Sequence, residues 1–490
     1  MQNWAKSLLQ ENAHRQRLIL LGAWVLLVIW NQPWSGDLRS DPLAYACIAK
    51  DMVKNNHWLY PMLDGQLYLN KPPLYFWFVA LSFKLFGVTF YASQLPSLIF
   101  AAIDVFFLYW IVFQWFRDYD LAFFSAFSFA TTRWIVTNFT SNRPESMLAF
   151  SVLLGCYAVL LMNAEKKKGP YLFGLSFAIG FMTKLFFAFF LPLAVFVYYL
   201  VQKRLVRLLR WTHFYMGILL GLVLASIWFI YFERIHPGYG SYIFHTQTLL
   251  RVTEGLDVNT NPLMYATELL KYYHPWLIFF IIGIPLLWKR LRQNEYYWLV
   301  ALAILVMFVP LQTAKGKAAR YLVIVTPFLS MVAALGICHF KRVKKIMYGF
   351  ALYSILPLFV FFWIVPVKVN PEKFHVIHLA ERLRSDHTAD YRDTLAFIGG
   401  RNDLKESDLQ FVEWTPFKTG SEYRRVYDFY LSDMFVHWEE ADFQDWLKDG
   451  RTPILLLTSP KAVKSLPRDS ARWIPLETDK YQTLLVGVRN

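Results

Sequence analysis

The sequence predicts a polytopic α-helical membrane protein with a small C-terminal α/β domain. Three observations predict it. Of 490 residues, 56% are hydrophobic and only 17% are charged, against about 25% charged in soluble globular chains. Apolar stretches of about 17–25 residues, enough to cross ~30 Å of hydrocarbon, recur as far as residue 366. Beyond 366 the composition turns to mixed polar and apolar runs of strand length. The net charge of +15 does not point to nucleic acid, because its distribution matters more than its sum. Cys47, Cys156 and Cys338 are far apart and form no disulfide framework or zinc pattern.

Taken in order, residues 1–17 are polar and no A-x-A-like cleavage site follows, so 18–30 reads as a retained first span. Candidate spans then fall near 18–32, 94–115, 121–138, 146–163, 169–183, 185–201, 211–232, 275–288, 296–312, 320–340 and 346–366, about eleven. Only Lys184 separates 169–183 from 185–201, which form either a helical hairpin or one broken helix. The basic clusters test the layout: Lys6/Arg15/Arg17, Arg117, Lys166–Lys168, Lys203/Arg204/Arg207/Arg210, Lys289/Arg290/Arg292 and Lys341/Arg342/Lys344/Lys345. With eleven spans and a cytoplasmic N-terminus all of them face the cytoplasm, as the positive-inside rule asks. This holds only if residues 72–87 do not cross. That segment is short, opens with Pro-Pro and carries Lys84, so it reads as an interfacial helix. The membrane domain is then 1–366, with outer loops 31–93, 139–145, 233–274 and 313–320. The outer domain is 367–490, with strand-like runs at 394–399, 453–458 and 481–488 and helix-like stretches near 372–385 and 439–448.

Ionisable groups on such loops invite a functional hypothesis, because burying them at a membrane is costly. Asp41-Pro42 makes a good helix start, with Asp as N-cap and Pro at the first helical position; a catalytic role is the second reading, and the two can coexist. Lys71, ahead of Pro72-Pro73, is either an interfacial anchor that snorkels to headgroups or a point charge for a lipid phosphate. Glu145 opens a span, where the helix dipole already favours a carboxylate, and Arg143 stands beside it as a partner or a headgroup contact. Lys184 is a turn anchor or a phosphate contact. "TAKGKAARY" supplies Lys315, Lys317 and Arg320 on an outer loop, against the inside-positive rule, and so suggests a bound anion; an Arg fork suits phosphate oxygens. His236, His245 and His274 are candidate ligands or bases, and His245 precedes Arg251 in "YIFHTQTLLRVTEG", but their spacing matches no metal motif. No glycine-rich phosphate loop or Walker motif supports a nucleotide site.

These outer-loop residues carry a resemblance. "SDPLAYACIAKDMVKNNHWLYPMLDGQLYLNKPPLYFWFVALSFKLFG" and "LPS" at 95–97 resemble the bacterial membrane glycosyltransferases of the GT-C fold, in the lipid A aminoarabinose transferase and protein-mannosyltransferase-like superfamily. "MTK" at 182–184 and "ARYLVIVTPF" at 319–328 resemble later pieces of the same pattern. The likeness runs from residue 1 to about 340. It implies an enzyme that takes one sugar from a polyprenyl (undecaprenyl) phosphate carrier and passes it to lipid A, another glycolipid, a glycan or a protein at the outer face of the bacterial inner membrane, with the C-terminal domain in the periplasm. Asp41 takes the place of the family's first-loop catalytic aspartate, Glu145 that of a second acidic residue, and Lys71 that of a lysine on the carrier phosphate. Lys184, Arg320 and Lys317 join Lys71 as phosphate-binding candidates; Tyr45, Asn70, Arg143, His245, Arg251 and Tyr321 complete the substrate cavity. Three departures stand out: Pro42 for the common Glu, Gln94 for an Arg, and Asn70 where relatives often carry a metal-binding Glu. No metal ligand set is assigned, and a divalent metal is left open as a cofactor. A transporter of lipid-linked sugars, an oligosaccharide ligase and a non-catalytic scaffold are the rival readings; no nucleic acid is expected as a partner.

Overall fold

Two helix starts are fixed by side-chain caps, at Thr89 and at Asp118. The protein is known from a computed structural model, which describes residues 2–26, 40–63, 65–255, 259–355, 410–413, 436–437, 440–449, 454–458, 462–467, 469–478 and 483–489. The end of the first expected span, the 366/367 boundary, and the helix and strand expected at 372–385 and 394–399 lie outside the described residues. The chain divides into two compact units, one of Met1–Leu38, Ile48–Met62 and Leu67–Val367, the other of Arg39–Cys47, Leu63–Gln66 and Lys368–Asn490.

Helix α1 (Gln2–Trp24) is followed by α2 (Ser40–Lys54) and a short ribbon, β1–β2 (Met62–Leu63, Gln66–Leu67). Pro73 caps α3 (Leu74–Phe86), and Gly87 ends it at φ +79°. Its 13 residues span about 20 Å, less than the hydrocarbon. It buries Tyr75, Phe76, Val79, Ala80 and Phe83 and leaves Phe78, Leu81, Leu85 and Phe86 exposed. Thr89 accepts the Ala92 N–H to start α4 (Phe90–Phe116), and Asp118 accepts two N–H groups to start α5 (Tyr119–Ala130). The span expected at 121–138 is broken there: α6 (Arg133–Phe139) begins afresh. The cause is a run of hydroxyls, since Ser128, Thr131 and Thr132 each donate to the carbonyl four residues back, at 2.6 Å, which bends and weakens a helix.

Next come α7 (Glu145–Asn163), α8 (Lys168–Lys184), a 3₁₀ turn (Leu185–Phe189) and α9 (Phe190–Val201). Though Lys168–Val201 is one run of helical residues, it doubles back. Asn163, ending α7 just before α8, bonds the hydroxyls of Tyr198 and Tyr199 at the far end of α9, both at 2.8 Å. A Cβ at Gly180 would lie 3.2 Å from that of Ala188. The two short runs are therefore a hairpin, turned at Leu185 (φ +48°), with Lys184 at its tip. Helices α10 (Leu205–Leu209) and α11 (Thr212–Ile235) follow. Helices α8 and α11 meet backbone to backbone: a Cβ on Gly174 would stand 1.9 Å from the Gly217 carbonyl oxygen, and one on Gly217 2.2 Å from that of Pro170. Small residues permit such approach where no hydrophobic effect pulls helices together.

The remainder of this unit is α12 (Tyr239–Phe244), a π-helical turn (His245–Leu250), α13 (Arg251–Thr253), α14 (Met264–Tyr272), α15 (Trp276–Arg290), α16 (Tyr296–Thr313), a 3₁₀ turn (Ala319–Ile324), α17 (Thr326–His339) and α18 (Lys341–Tyr353). Among the described residues, five helical segments are long and apolar enough to cross a membrane by length and composition, the doubled-back 168–201 counted as one, or six if α14 and α15, bent by 110°, count as one span. Below its apolar run, α5 is pinned to α1 and α18: Asp120 accepts from Arg17, from Lys344 at 2.5 Å and from the Tyr348 hydroxyl at 2.8 Å. Burial would raise the Asp120 pKa, but these three donors outweigh it and hold the carboxyl below its usual range.

The second unit holds a five-stranded mixed sheet in the order β4-β3-β5-β7-β6, formed by β3 (Gln410–Glu413), β4 (Val436–His437), β5 (Ile454–Thr458), β6 (Ala471–Thr478) and β7 (Thr483–Arg489). Strand β3 is parallel to β4 and β5, while β7 runs antiparallel to β5 and β6. Helix α19 (Glu440–Asp449) supplies Phe443 and Trp446 to a core with Leu456, Leu466 and Leu485.

Candidate active site

The site begins with the pieces of sequence that carried the resemblance. One turn beyond Lys71, the buried Tyr75 hydroxyl donates to Asn142 Oδ1 and shares a hydrogen bond with Ser97 Oγ, both at 2.7 Å. Ser97 Oγ in turn donates to the Arg143 carbonyl oxygen at 2.8 Å and accepts the Arg143 N–H at 3.2 Å. Thus "KPPLY", "LPS" and "NRPE", distant in sequence, are stapled together by two hydroxyls. Pro144 then caps α7, which opens on Glu145.

Glu145 is 2% exposed, and its Oε1 accepts a 2.9 Å hydrogen bond from Lys184 Nζ at the hairpin tip. Its Oε2 has no hydrogen-bond partner among the described residues. The Lys184 ammonium also lies 4.8 Å from the Phe187 ring centroid and 5.0 Å from that of Tyr321, a favourable placement for a desolvated cation. Four cations act on the Glu145 carboxylate: Lys184, Arg143, Lys71 and Arg320.

Beside this cluster is a cavity of about 300 Å³. Asn70, Lys71, Lys184, Arg251 and Tyr321 line one part of it, and Phe186, Phe187, Phe190 and Leu311 line another. Arg251 Nε is buried and without a hydrogen-bond partner among the described residues. The loop 315–317 closes over this side, its N–H groups donating to the carbonyls of Val252, Arg251 and Asn259 at 2.8, 3.0 and 2.8 Å. Asn70 Oδ1 accepts from the Tyr242 hydroxyl at 2.9 Å and from Gln247 Nε2 at 2.8 Å, and Gln247 also reaches Tyr242 at 2.7 Å. Asn70 is therefore held in a neutral amide–phenol network. Among the described residues, no three His, Cys, Asp or Glu side chains gather as a metal site.

The expected site residues separate into groups. Lys71, Lys184, Asn70, Arg251 and Tyr321 meet at the cavity; Arg143 and Arg320 reach it through Glu145. Lys317 does not line it: it is 3% exposed and its Nζ donates to the Ala314 carbonyl of its own loop. His245 is exposed, whereas Thr248, one turn on, lines the cavity. Asp41 stands in the first turn of α2 and Tyr45, 1% exposed, in the second; both fall in Arg39–Cys47, which groups with the second unit. Tyr75, Asn142, Tyr242 and Gln247 were not singled out in the sequence. Tyr75 carried a signal, a polar atom inside the "KPPLY" motif; Tyr242 and Gln247 carried none. A further buried acid, Asp104, lies within α4 at 0% exposure, with neither oxygen hydrogen-bonded among the described residues.

The fold is that of a helical protein with several helices long and apolar enough to cross a membrane, and the comparisons agree with it. The family model of dolichyl-phosphate-mannose-protein mannosyltransferases matches residues 70–231. The undecaprenyl phosphate-α-4-amino-4-deoxy-L-arabinose arabinosyl transferase of Yersinia enterocolitica is 26% identical over 304 residues, 60% of this chain and 54% of the relative. That of Aeromonas hydrophila is 26% identical over 321 residues, 64% of this chain and 57% of the relative. The chain thus matches little more than half the length of these relatives. The crystal structure of ArnT from Cupriavidus metallidurans bound to undecaprenyl phosphate superposes with a TM-score of 0.69 at 16% identity, covering 96% of this chain and 98% of that one. The archaeal oligosaccharyltransferase AglB from Archaeoglobus fulgidus does so at 0.52 and 12% identity, covering 93% and 70%. The resemblance read from residues 41–97 is borne out: the chain has the GT-C fold and is similar to the lipid A aminoarabinose transferases.

Proposed function

We propose that this protein is a glycosyltransferase that moves a single sugar from an undecaprenyl-phosphate-type donor to lipid A or another membrane glycolipid or glycan. The observation that carries the reading is the cavity itself. Lys71, Lys184 and the unpartnered Arg251 Nε stand at one part of it, and phenylalanines continue from it. An anion on an apolar tail is the ligand such a wall suits.

In the reaction, an acceptor oxygen attacks the anomeric carbon as the bond from that carbon to the phosphate oxygen breaks. The electron pair leaves with the phosphate, and the sugar inverts. Lys71, Lys184 and Arg251 stabilise the charge that gathers there. Glu145 holds Lys184 in place and so acts as a positioning residue. Asp41, as the resemblance suggests, takes the proton if the acceptor is a hydroxyl, or positions an acceptor that is already ionised. The proposed topology keeps eleven spans, a cytoplasmic N-terminus and a periplasmic α/β domain in the bacterial inner membrane.

The test is Lys71→Ala in purified protein, read by binding of undecaprenyl phosphate. Loss of one charge-assisted contact, about 1.5–3 kcal/mol, predicts affinity weaker by about 10–150-fold. Unchanged affinity makes Lys71 a membrane anchor and removes this site assignment.

A further inference from the structure

A second cavity, of about 330 Å³, opens at the opposite ends of the same helices, where α7 gives way to α8 and α9 to α10. Lys167, Arg204, Arg207, Arg210 and Trp211 line it, with Glu165 as its one acid. Two of the cations are already neutralised. Arg207 pairs with Glu165, both well exposed, and Arg204 pairs with Glu295 at 2.5 Å. Lys167 and Arg210 have no acidic partner among the described residues, so the cavity keeps a surplus of positive charge.

The wall does not end there. Leu208, buried and part of this lining, also lines a third cavity of about 390 Å³. That one runs between α8, α9 and α11 and is walled by apolar side chains, among them Phe173, Phe177, Phe196, Phe214 and Leu222. A cationic chamber thus meets an apolar trough at one shared leucine, at the end of the helices where Tyr198, Tyr199 and Trp211 cluster as aromatics do at a membrane surface. A soluble anion would use the chamber and leave the trough without purpose. A zwitterionic lipid would bring its own cation to Lys167 and Arg210.

We infer that this junction is a binding site for one anionic glycerophospholipid, of phosphatidylglycerol type. Its phosphate lies between Lys167 and Arg210, and an acyl chain passes Leu208 into the trough. The site is separate from the Glu145–Lys184 cluster, at the other end of α7, and holds whether or not the proposed transfer reaction is correct.

Native mass spectrometry of the delipidated full chain tests it, with added phosphatidylglycerol, phosphatidylcholine of the same chains, undecaprenyl phosphate or inorganic phosphate. One phosphatidylglycerol should bind in preference to phosphatidylcholine. Lys167→Gln with Arg210→Gln should weaken it by about thirtyfold, taking about 1 kcal/mol for each basic residue, while leaving phosphatidylcholine unchanged. Leu208→Trp, which keeps every charge and fills the junction, should weaken phosphatidylglycerol but not inorganic phosphate. Melting temperatures in detergent confirm that each variant folds; if Leu208→Trp does not, the charge pair alone decides. Equal binding of the two phospholipids overturns the proposal, as does binding indifferent to the double substitution. Inorganic phosphate as tight as the lipid would make this a soluble-anion site. Undecaprenyl phosphate binding here more tightly than phosphatidylglycerol would make it a second carrier site. Either result also overturns it.

Discussion

Replacing Glu145 by Gln removes one charge and almost no volume, and so isolates what the buried pair contributes. Lys184 Nζ and Glu145 Oε1 are 2.9 Å apart, with side chains 9% and 2% exposed. At that distance the attraction is about 6 kcal/mol for an effective dielectric near 20. Most of this offsets the cost of taking both charges out of water, so the intact pair adds little net stability. Breaking it is another matter. It leaves Lys184 buried without its counterion, which costs about 3–5 kcal/mol. The aromatic rings of Phe187 and Tyr321 recover part of this, on the order of 1–2 kcal/mol. A loss of about 2–4 kcal/mol is therefore expected. The assay is thermal unfolding in detergent across a double-mutant cycle of Glu145→Gln and Lys184→Met. The double variant should be more stable than Glu145→Gln alone, because it removes the stranded cation. Undecaprenyl phosphate should raise the melting temperature of Glu145→Gln more than that of the native protein, since an anion replaces the missing charge. A Glu145→Gln protein that melts with the native one, with coupling below about 0.5 kcal/mol, would refute the buried-pair argument.

Three further outcomes are expected. Asp120→Asn should cost about 1–2 kcal/mol at neutral pH through weakened bonds to Arg17 and Lys344. Because the folded-state pKa of Asp120 lies below its unfolded value, that difference should persist above about pH 4 and disappear as pH falls below the usual carboxylate range; denaturation curves at pH 7 and pH 3 check it. Gly217→Ala should destabilise by roughly 1–3 kcal/mol or more, since its Cβ would meet the Pro170 carbonyl oxygen at 2.2 Å and force α8 and α11 apart; an unchanged melting temperature would sink this. Asp104→Leu should raise stability by about 1–3 kcal/mol, the cost of a buried polar group without a partner, and a drop instead would show that Asp104 has a partner or a task.

Much of the helical unit was legible because apolar length is a direct readout of hydrocarbon thickness. The hydroxyl-bent break between α5 and α6 was not, since Ser and Thr look harmless within a greasy run. Their damage depends on which carbonyl each rotamer finds. The ambiguity at Lys184 was of the same kind: two 3₁₀-linked segments read alike whether straight or folded back, and the pairing of Asn163 with Tyr198 and Tyr199 and the approach of Gly180 to Ala188 decide it. At the site, Lys71, Lys184, Asn70, Arg251 and Tyr321 were readable as charges or motif positions. What could not be read was who holds whom. Lys317 looked like a phosphate ligand from its cluster, yet it is not among the cavity's lining and its ammonium donates to the Ala314 carbonyl of its own loop. Tyr242 and Gln247 had no charge and no motif, and they matter only because Asn70 lies within reach.

The site's charge balance bears on why such a cluster would speed transfer rather than merely capture a donor. Glu145 is bonded to Lys184 and feels the charges of Arg143, Lys71 and Arg320, while Lys71, Lys184 and Arg251 line the cavity. A polyprenyl phosphate sugar is a phosphodiester with a single negative charge. The departing polyprenyl phosphate is a monoester that carries close to two. On the proposed reading, cations standing at the cavity favour the state with the broken bond over the state with the bond intact. Interactions that strengthen along the reaction raise the rate, whereas equal binding of both states does not. Glu145 fits this balance as the group that holds Lys184 in place, through the 2.9 Å bond to its Nζ. Its unpartnered Oε2 shows that it is not fully consumed in doing so.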